Sequence, residues 1–133
     1  MKNINQAPFF QKQRNVCFSG HRPNKLPNRG DLSQPAMNAI YRELLVAIDN
    51  AVTEGKSNFI HGMMSGFDII AAEAVLEIKK KHPHIRLISV LPFIEDFFAT
   101  KEWYGNWARR AIEVYRRSDD HACLARSYYP RVY

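Results

Sequence analysis

Short β-favouring apolar runs alternate with segments of helical periodicity, and this alternation limits the fold more than any other feature of the sequence. The predicted strands cover residues 16–18, 59–61, 85–91 and 121–124, with one helical segment between each pair. Parallel strands need such crossovers, which are right-handed in nearly all proteins. We therefore expect an α/β fold with a mostly parallel sheet of about four strands, covered by helices on both faces.

Each helical segment has its own start, stop or apolar stripe. Ser33 is the predicted cap of the first helix, with Pro35 in its first turn and Gly55 at its end. Asp68 begins the second helix, which Pro83 prevents from continuing. The third helix covers 107–117. The predicted core stripes comprise Met37, Ile40, Tyr41, Leu44, Ile48 and Val52 in the first helix, and Trp107, Ala111, Ile112 and Tyr115 in the third.

The length of 133 residues suits one domain. We expect an N-terminal extension at 1–14 and a single domain at 15–133. After residue 124 too little chain remains for another helix and strand, so the sheet should end early and keep an exposed edge. Such an edge favours a homodimer.

The composition limits the cellular compartment and the classes of partner that we expect. The first residues lack the apolar core of a signal peptide, and no window approaches ~18 consecutive apolar residues, so we expect a cytoplasmic protein with no membrane partner. Cys17 and Cys123 should be reduced and buried. The net charge of +6 suits phosphate-bearing ligands or nucleic acid without requiring either.

Three loops should lie at the carboxyl ends of the strands, where open parallel sheets bind ligands. They are 19–23, 62–68 and the segment beginning at Pro92. Gly62 and Gly66 would allow a phosphate or sugar to approach backbone amides at a helix start, although a tight strand-to-helix turn explains them equally well.

Charged groups in these loops suggest separate roles. The guanidinium of Arg22 suits a phosphate, and His21 could donate a hydrogen bond or carry a proton, unless both are simply solvated. Asp68 would repel a phosphate and better suits a ribose hydroxyl. Glu73 is more than one turn away, a poor partner for Asp68 in acid–base chemistry, and is expected to be an exposed helix residue. The scattered histidines predict no metal site.

A second pattern mixes aromatic and basic side chains near the third helix. It could stack and neutralise single-stranded nucleic acid, but helical spacing favours core packing for the aromatic members. The residues are Trp103, Tyr104, Trp107, Arg109, Arg110, Arg116 and Arg117.

Taken together, four ordered motifs resemble YpsA-like SLOG proteins, of the superfamily that includes the SMF, DprA and LOG groups. They are Ser19-Gly20-His21-Arg22-Pro23, the 62–68 loop, Ala71-Ala72-Glu73 and Leu91-Pro92-Phe93. The resemblance implies a Rossmann-like three-layer fold that recognises a nucleotide or a nucleotide-derived ligand. The implied ligand-binding residues are Ser19, Gly20, His21, Arg22, Gly62, Ser65, Gly66, Asp68 and Pro92.

The resemblance leaves the reaction open. The usual C-terminal Arg-Asn segment, helix, strand and second glycine-rich loop of the family are absent from the sequence, as is the Pro-Gly-Gly-x-Gly-Thr-x-x-Glu segment of LOG phosphoribohydrolases. The leading hypothesis is a sensor of a nucleotide-type small molecule such as ADP-ribose or NAD, with the cofactor and any catalytic residues unassigned. The alternatives are a hydrolase of N-glycosidic bonds and a single-stranded nucleic-acid module like DprA.

Overall fold

A computed structural model describes residues 14–92 and 105–124, in which four strands alternate with three helices. The predicted α/β class is therefore confirmed. Most of the predicted N-terminal extension, together with Phe93, Trp103 and Tyr104, lies outside the described residues. The elements are β1 (Asn15–Cys17), α1 (Pro35–Thr53), β2 (Asn58–His61), α2 (Phe67–Lys79), β3 (Arg86–Leu91), α3 (Trp107–Arg117) and β4 (Asp120–Cys123).

The four strands form one parallel sheet in the order β1-β2-β3-β4. Val16 lies opposite Phe59, and Leu91 lies opposite Cys123. Since each strand pairs with the next one along the chain, right-handed crossovers bring all three helices to the same face. This Rossmann-like arrangement puts the loops after β1, β2 and β3 side by side at one edge of the sheet.

The two faces of the sheet carry separate buried clusters. Phe59, Leu87 and Leu91 join residues of α1, α2 and α3 in the main core. The opposite face carries a second cluster of strand residues only, formed by Ile60, Ile88, Val90 and Ala122. No helix in residues 14–92 and 105–124 contributes to that second cluster, so the other helical layer of the expected sandwich stays a prediction.

α2 is the central helix of the layer and is buried almost all round. It packs against both α1 and α3 as well as the sheet, which explains why its sequence is nearly continuously apolar instead of amphipathic. Its buried apolar residues are Ile69, Ile70, Ala71, Ala72, Ala74, Val75, Leu76 and Ile78.

The start of α1 differs from the prediction. Gln34, not Ser33, occupies the N-cap position, while Pro35 begins the helix as expected. Both the backbone amide and the hydroxyl of Ser33 donate to Oδ1 of Asp31, at 2.9 and 2.7 Å. The nearby carboxylate thus takes the hydroxyl that a cap would have used.

The core stripe of α3 is correct for Trp107 and Ala111, which are buried, and wrong for Ile112, which is 41% exposed. Ile112 lies five residues after Trp107, a rotation of about 140° around the helix. Val114 takes the buried position instead. The stripe of α1 is confirmed, because its members are buried or pack against the main core.

Both cysteines are free thiols, but Cys17 is exposed and Cys123 only partly buried, so the prediction that both are buried is wrong. Cys17 belongs to β1, an outer strand of the described sheet, where it has neighbours on one side only. Pairing of copies through an outer strand stays a prediction. In the described part of the chain, no helix combines the length and apolar character needed to cross a membrane.

The main core gives a direct stability test. Leu87 is fully buried, so Leu87→Ala should lower the free energy of unfolding by roughly 2–5 kcal/mol. Val46→Ala is the control, because Val46 is 61% exposed on α1 and should change stability by no more than about 0.5 kcal/mol. Urea denaturation followed by circular dichroism measures both, and similar losses would contradict the assignment of the core.

Candidate functional site

The loops after β1 and β2 meet through their backbones. The amide of Phe67, the first residue of α2, donates a hydrogen bond of 2.9 Å to the carbonyl oxygen of His21. The amide of Phe18 also donates to the carbonyl of Ile60, which continues the β1–β2 pairing up to the loops. Backbone hydrogen bonds therefore join the loop after β1 to the loop after β2 at the edge of the sheet. We call these two segments the joined loops.

Two glycines make this junction possible. A Cβ atom on Gly66 would lie 2.5 Å from the His21 carbonyl oxygen, and one on Gly20 would lie 2.4 Å from the ring of Phe67. Gly66 also has a φ of 93°. In the structure, these glycines allow the loops after β1 and β2 to approach each other closely. Gly62 does not have a left-handed φ, whereas Met63, the next residue, has one of 61°.

Asp68 occupies the inside of the glycine loop. Its side chain is buried, and its carboxylate accepts hydrogen bonds from the backbone amides of Gly62 and Met64. Burial raises the pKa of Asp68, while these amides and the positive charge of Arg22 partly oppose the rise. The sequence analysis expected loop amides to bind a phosphate, but those of Gly62 and Met64 donate to the Asp68 carboxylate instead.

The predicted ligand-binding residues differ in their exposure. Those of the first loop form the outer rim, with Ser19, Gly20 and His21 exposed and Arg22 half-buried. Those of the second loop lie deeper, with Gly62 half-buried and Ser65, Gly66 and Asp68 buried. Pro92 is half-buried and follows β3, the next strand of the sheet. Among the nine predicted residues, Arg22 and His21 are therefore the ones that present cationic or titratable groups at the rim.

His61 is a residue of the site region to which the sequence analysis gave no role. It ends β2, is 1% exposed, and its Nδ1 accepts a hydrogen bond of 3.3 Å from the amide of Met63. Burial lowers the pKa of His61 to about 3, so the imidazole is neutral. The sequence feature that could have indicated a role for His61 is its position at the end of an apolar strand, directly before the glycine loop.

A cleft of about 730 Å³ is lined by residues 28–33 and by residues of α1, α2 and α3. Its lining includes Arg29, Tyr41, Glu73, Trp107 and Arg110 and none of the nine predicted ligand-binding residues. Two of its charged groups are already paired with each other, because Arg110 donates to Glu73. This cleft is therefore distinct from the joined loops.

Comparison with known proteins identifies the family. The family model described as the YspA SLOG family (YpsA) matches residues 16–133. The chain belongs to this family. A relative, the "Uncharacterized SPbeta prophage-derived protein YoqJ" of Bacillus subtilis (strain 168), is 36% identical over 87 residues, which cover 62% of this chain and 49% of that protein. The match therefore spans about half of the relative's length, and the resemblance to YpsA-like SLOG proteins is confirmed.

The Ala71-Ala72-Glu73 motif has a packing role in this chain. Glu73, expected to be exposed, is half-buried and accepts two hydrogen bonds from Arg110, one of them 2.9 Å from Nε to Oε2. The guanidinium of Arg110 lies 4.3 Å from the ring centroid of Trp107. The prediction for Glu73 is wrong because α3 packs beside α2 and supplies the arginine.

The aromatic and basic pattern of this SLOG protein divides between core and surface. Trp107 is 5% exposed, so the core interpretation is confirmed for it, and Arg110 is paired with Glu73. Arg109, Arg116 and Arg117 are exposed. The described part of the pattern is thus a basic helix face above a buried tryptophan.

The loop junction can be tested with two matched glycine substitutions. Gly55→Ala should cost about 1 kcal/mol for a positive φ alone, because a Cβ there meets nothing within 4 Å. Gly66→Ala has a similar φ and also meets the His21 backbone, so it should cost roughly 1–3 kcal/mol more. Equal losses of unfolding free energy in urea titrations would show that the loops do not press together.

Burial of His61 gives a pH test. The unfolded chain takes up a proton below the ordinary histidine pKa of about 6.5, whereas the folded protein resists protonation until about pH 3. This contribution is therefore complete above that ordinary value and is lost as the pH falls, by about 2 kcal/mol at pH 5. Between pH 7 and 5, wild type should lose about that much more stability than His61→Asn. Parallel stability curves would contradict the neutral buried histidine.

Proposed function

We propose that this chain binds a nucleotide or nucleotide-derived ligand, such as ADP-ribose or NAD, at the joined loops after β1 and β2. The observation that carries the proposal is the His21–Phe67 backbone junction, which brings the segment bearing Arg22 to the segment bearing Asp68. The positive charge of Arg22 acts on the Asp68 carboxylate. Ligands of open parallel sheets bind at this edge, outside the carboxyl ends of the strands.

The geometry favours separate places for phosphate and sugar. Because Asp68 takes the amides of Gly62 and Met64, a phosphate would bind toward the outer rim, at the guanidinium of Arg22 with His21 beside it. An arginine suits this role because its planar donors match two phosphate oxygens at once. The half-buried environment of Arg22 would limit competition from water.

Asp68 would accept hydrogen bonds from sugar hydroxyls. An ionised carboxylate has about four acceptor positions, and two amides already orient this one. Those bonds would hold the carboxylate in place before the ligand arrives, which reduces the entropy lost on binding. A sugar between Asp68 and a phosphate at Arg22 also keeps the two negative groups apart.

Calorimetry of the purified chain with ADP-ribose, NAD and AMP tests this function. Arg22→Gln should weaken binding about 10- to 100-fold, as expected for a charge-assisted hydrogen bond of roughly 1.5–3 kcal/mol. Arg86→Gln is the control, because this substitution removes the same charge at the start of β3, where Arg86 pairs with Asp120. Absence of binding to all three compounds, or equal weakening by both variants, would contradict the proposal.

The same samples distinguish the hydrolase alternative. A buried carboxyl with a raised pKa, as at Asp68, is the environment that a general acid needs. Free adenine in the AMP sample, absent with Asp68→Asn, would indicate cleavage of the N-glycosidic bond in place of sensing alone.

A further inference from the structure

Three consecutive amides of the loop after β2 all donate to acceptors within the chain. Those of Gly62 and Met64 donate to the carboxylate of Asp68, and the amide between them, that of Met63, donates to Nδ1 of His61. The side chain of Met63 is fully buried while its backbone is left-handed. A left-handed conformation at a non-glycine residue costs energy and persists only where its surroundings hold it.

The tautomer of His61 follows from its partners. Since Nδ1 accepts from Met63, the proton of the neutral ring lies on Nε2, which donates to Oγ of Ser89 at 2.7 Å. Ser89 then donates to Oγ of Ser118, and Ser118 donates to the carbonyl of Val114 at 2.8 Å. Every hydroxyl and ring nitrogen in this buried series has a defined role.

We propose that His61 is a positioning residue, which holds Met63 so that the amides on either side grip the carboxylate of Asp68. The proposal rests on the proposed function, because the aligned carboxylate is the group assigned to the ligand's sugar. The series of hydrogen bonds connects His61 to β3 through Ser89 and to the C-terminal turn of α3 through Ser118. The imidazole ring is thereby fixed at both nitrogens, one facing the loop and one facing the sheet.

Two substitutions separate the two nitrogens of His61. An asparagine oxygen stands at the distance of Nδ1 from the backbone, so His61→Asn keeps the acceptor for Met63 and loses the donor to Ser89. The longer side chain of His61→Gln reaches the position of Nε2 and loses the acceptor near Met63. The matched control is His121→Gln, since Nε2 of His121 donates to the Tyr115 carbonyl.

The readouts are amide hydrogen exchange at Met63 and titration of the Asp68 carboxyl carbon by NMR, both without ligand. His61→Gln should accelerate exchange at Met63 roughly tenfold or more relative to global unfolding, and should raise the Asp68 pKa, because the carboxylate loses aligned amides. His61→Asn and His121→Gln should leave both readouts near wild type. Equal changes in the two His61 variants, or no change in either, would overturn the proposal.

A measurement on wild type covers the case in which a variant does not fold. Imidazole nitrogen shifts should show His61 with Nε2 protonated and Nδ1 free of a proton, and the opposite tautomer would overturn the positioning role. These readouts need no ligand, so their failure is distinct from failure of the proposed function. Should the wild type bind ADP-ribose, His61→Gln should also weaken binding more than His61→Asn does.

Discussion

The contact between the His21 carbonyl and the start of α2 is the constraint on which the rest of the site depends. It requires two positions without a side chain, Gly20 and Gly66, because a Cβ at either would lie within about 2.5 Å of the opposing loop. This contact connects the loop after β1 to the start of the helix that carries Asp68. The rim is consequently preorganised by its backbone, before any ligand contributes.

This junction changes the chemistry that the glycine loop offers. A glycine-rich turn before a helix usually presents free amides to an anion, but here a carboxylate of the same helix accepts two of them and His61 accepts a third. The inner part of the site is therefore an oriented acceptor, and the donor for a phosphate is the arginine of the other loop. The site combines an acceptor and a cation on two segments that glycine packing holds together.

The sequence predicts well whatever depends on periodicity or on strand ends. Alternating runs give the strands and helices, and the parallel order places the loops of Arg22 and Asp68 at one edge. Features set by contacts between distant segments were not predictable. Glu73 looks like a solvent residue until α3 supplies Arg110, and His61 looks like an ordinary strand residue until the turn of Met63 and the register with Ser89 give each nitrogen a partner.

The most direct test of the joined site is a titration of the isotope-labelled protein with ADP-ribose, followed by backbone amide shifts. If the ligand binds at the joined loops, the amide shifts of 19–22 and 62–68 should change together along one saturating binding curve, with smaller changes at α3. Changes confined to residues 28–33, 106, 107 and 110, which line the cleft of about 730 Å³, would place the ligand in that cleft and contradict a site at the joined loops.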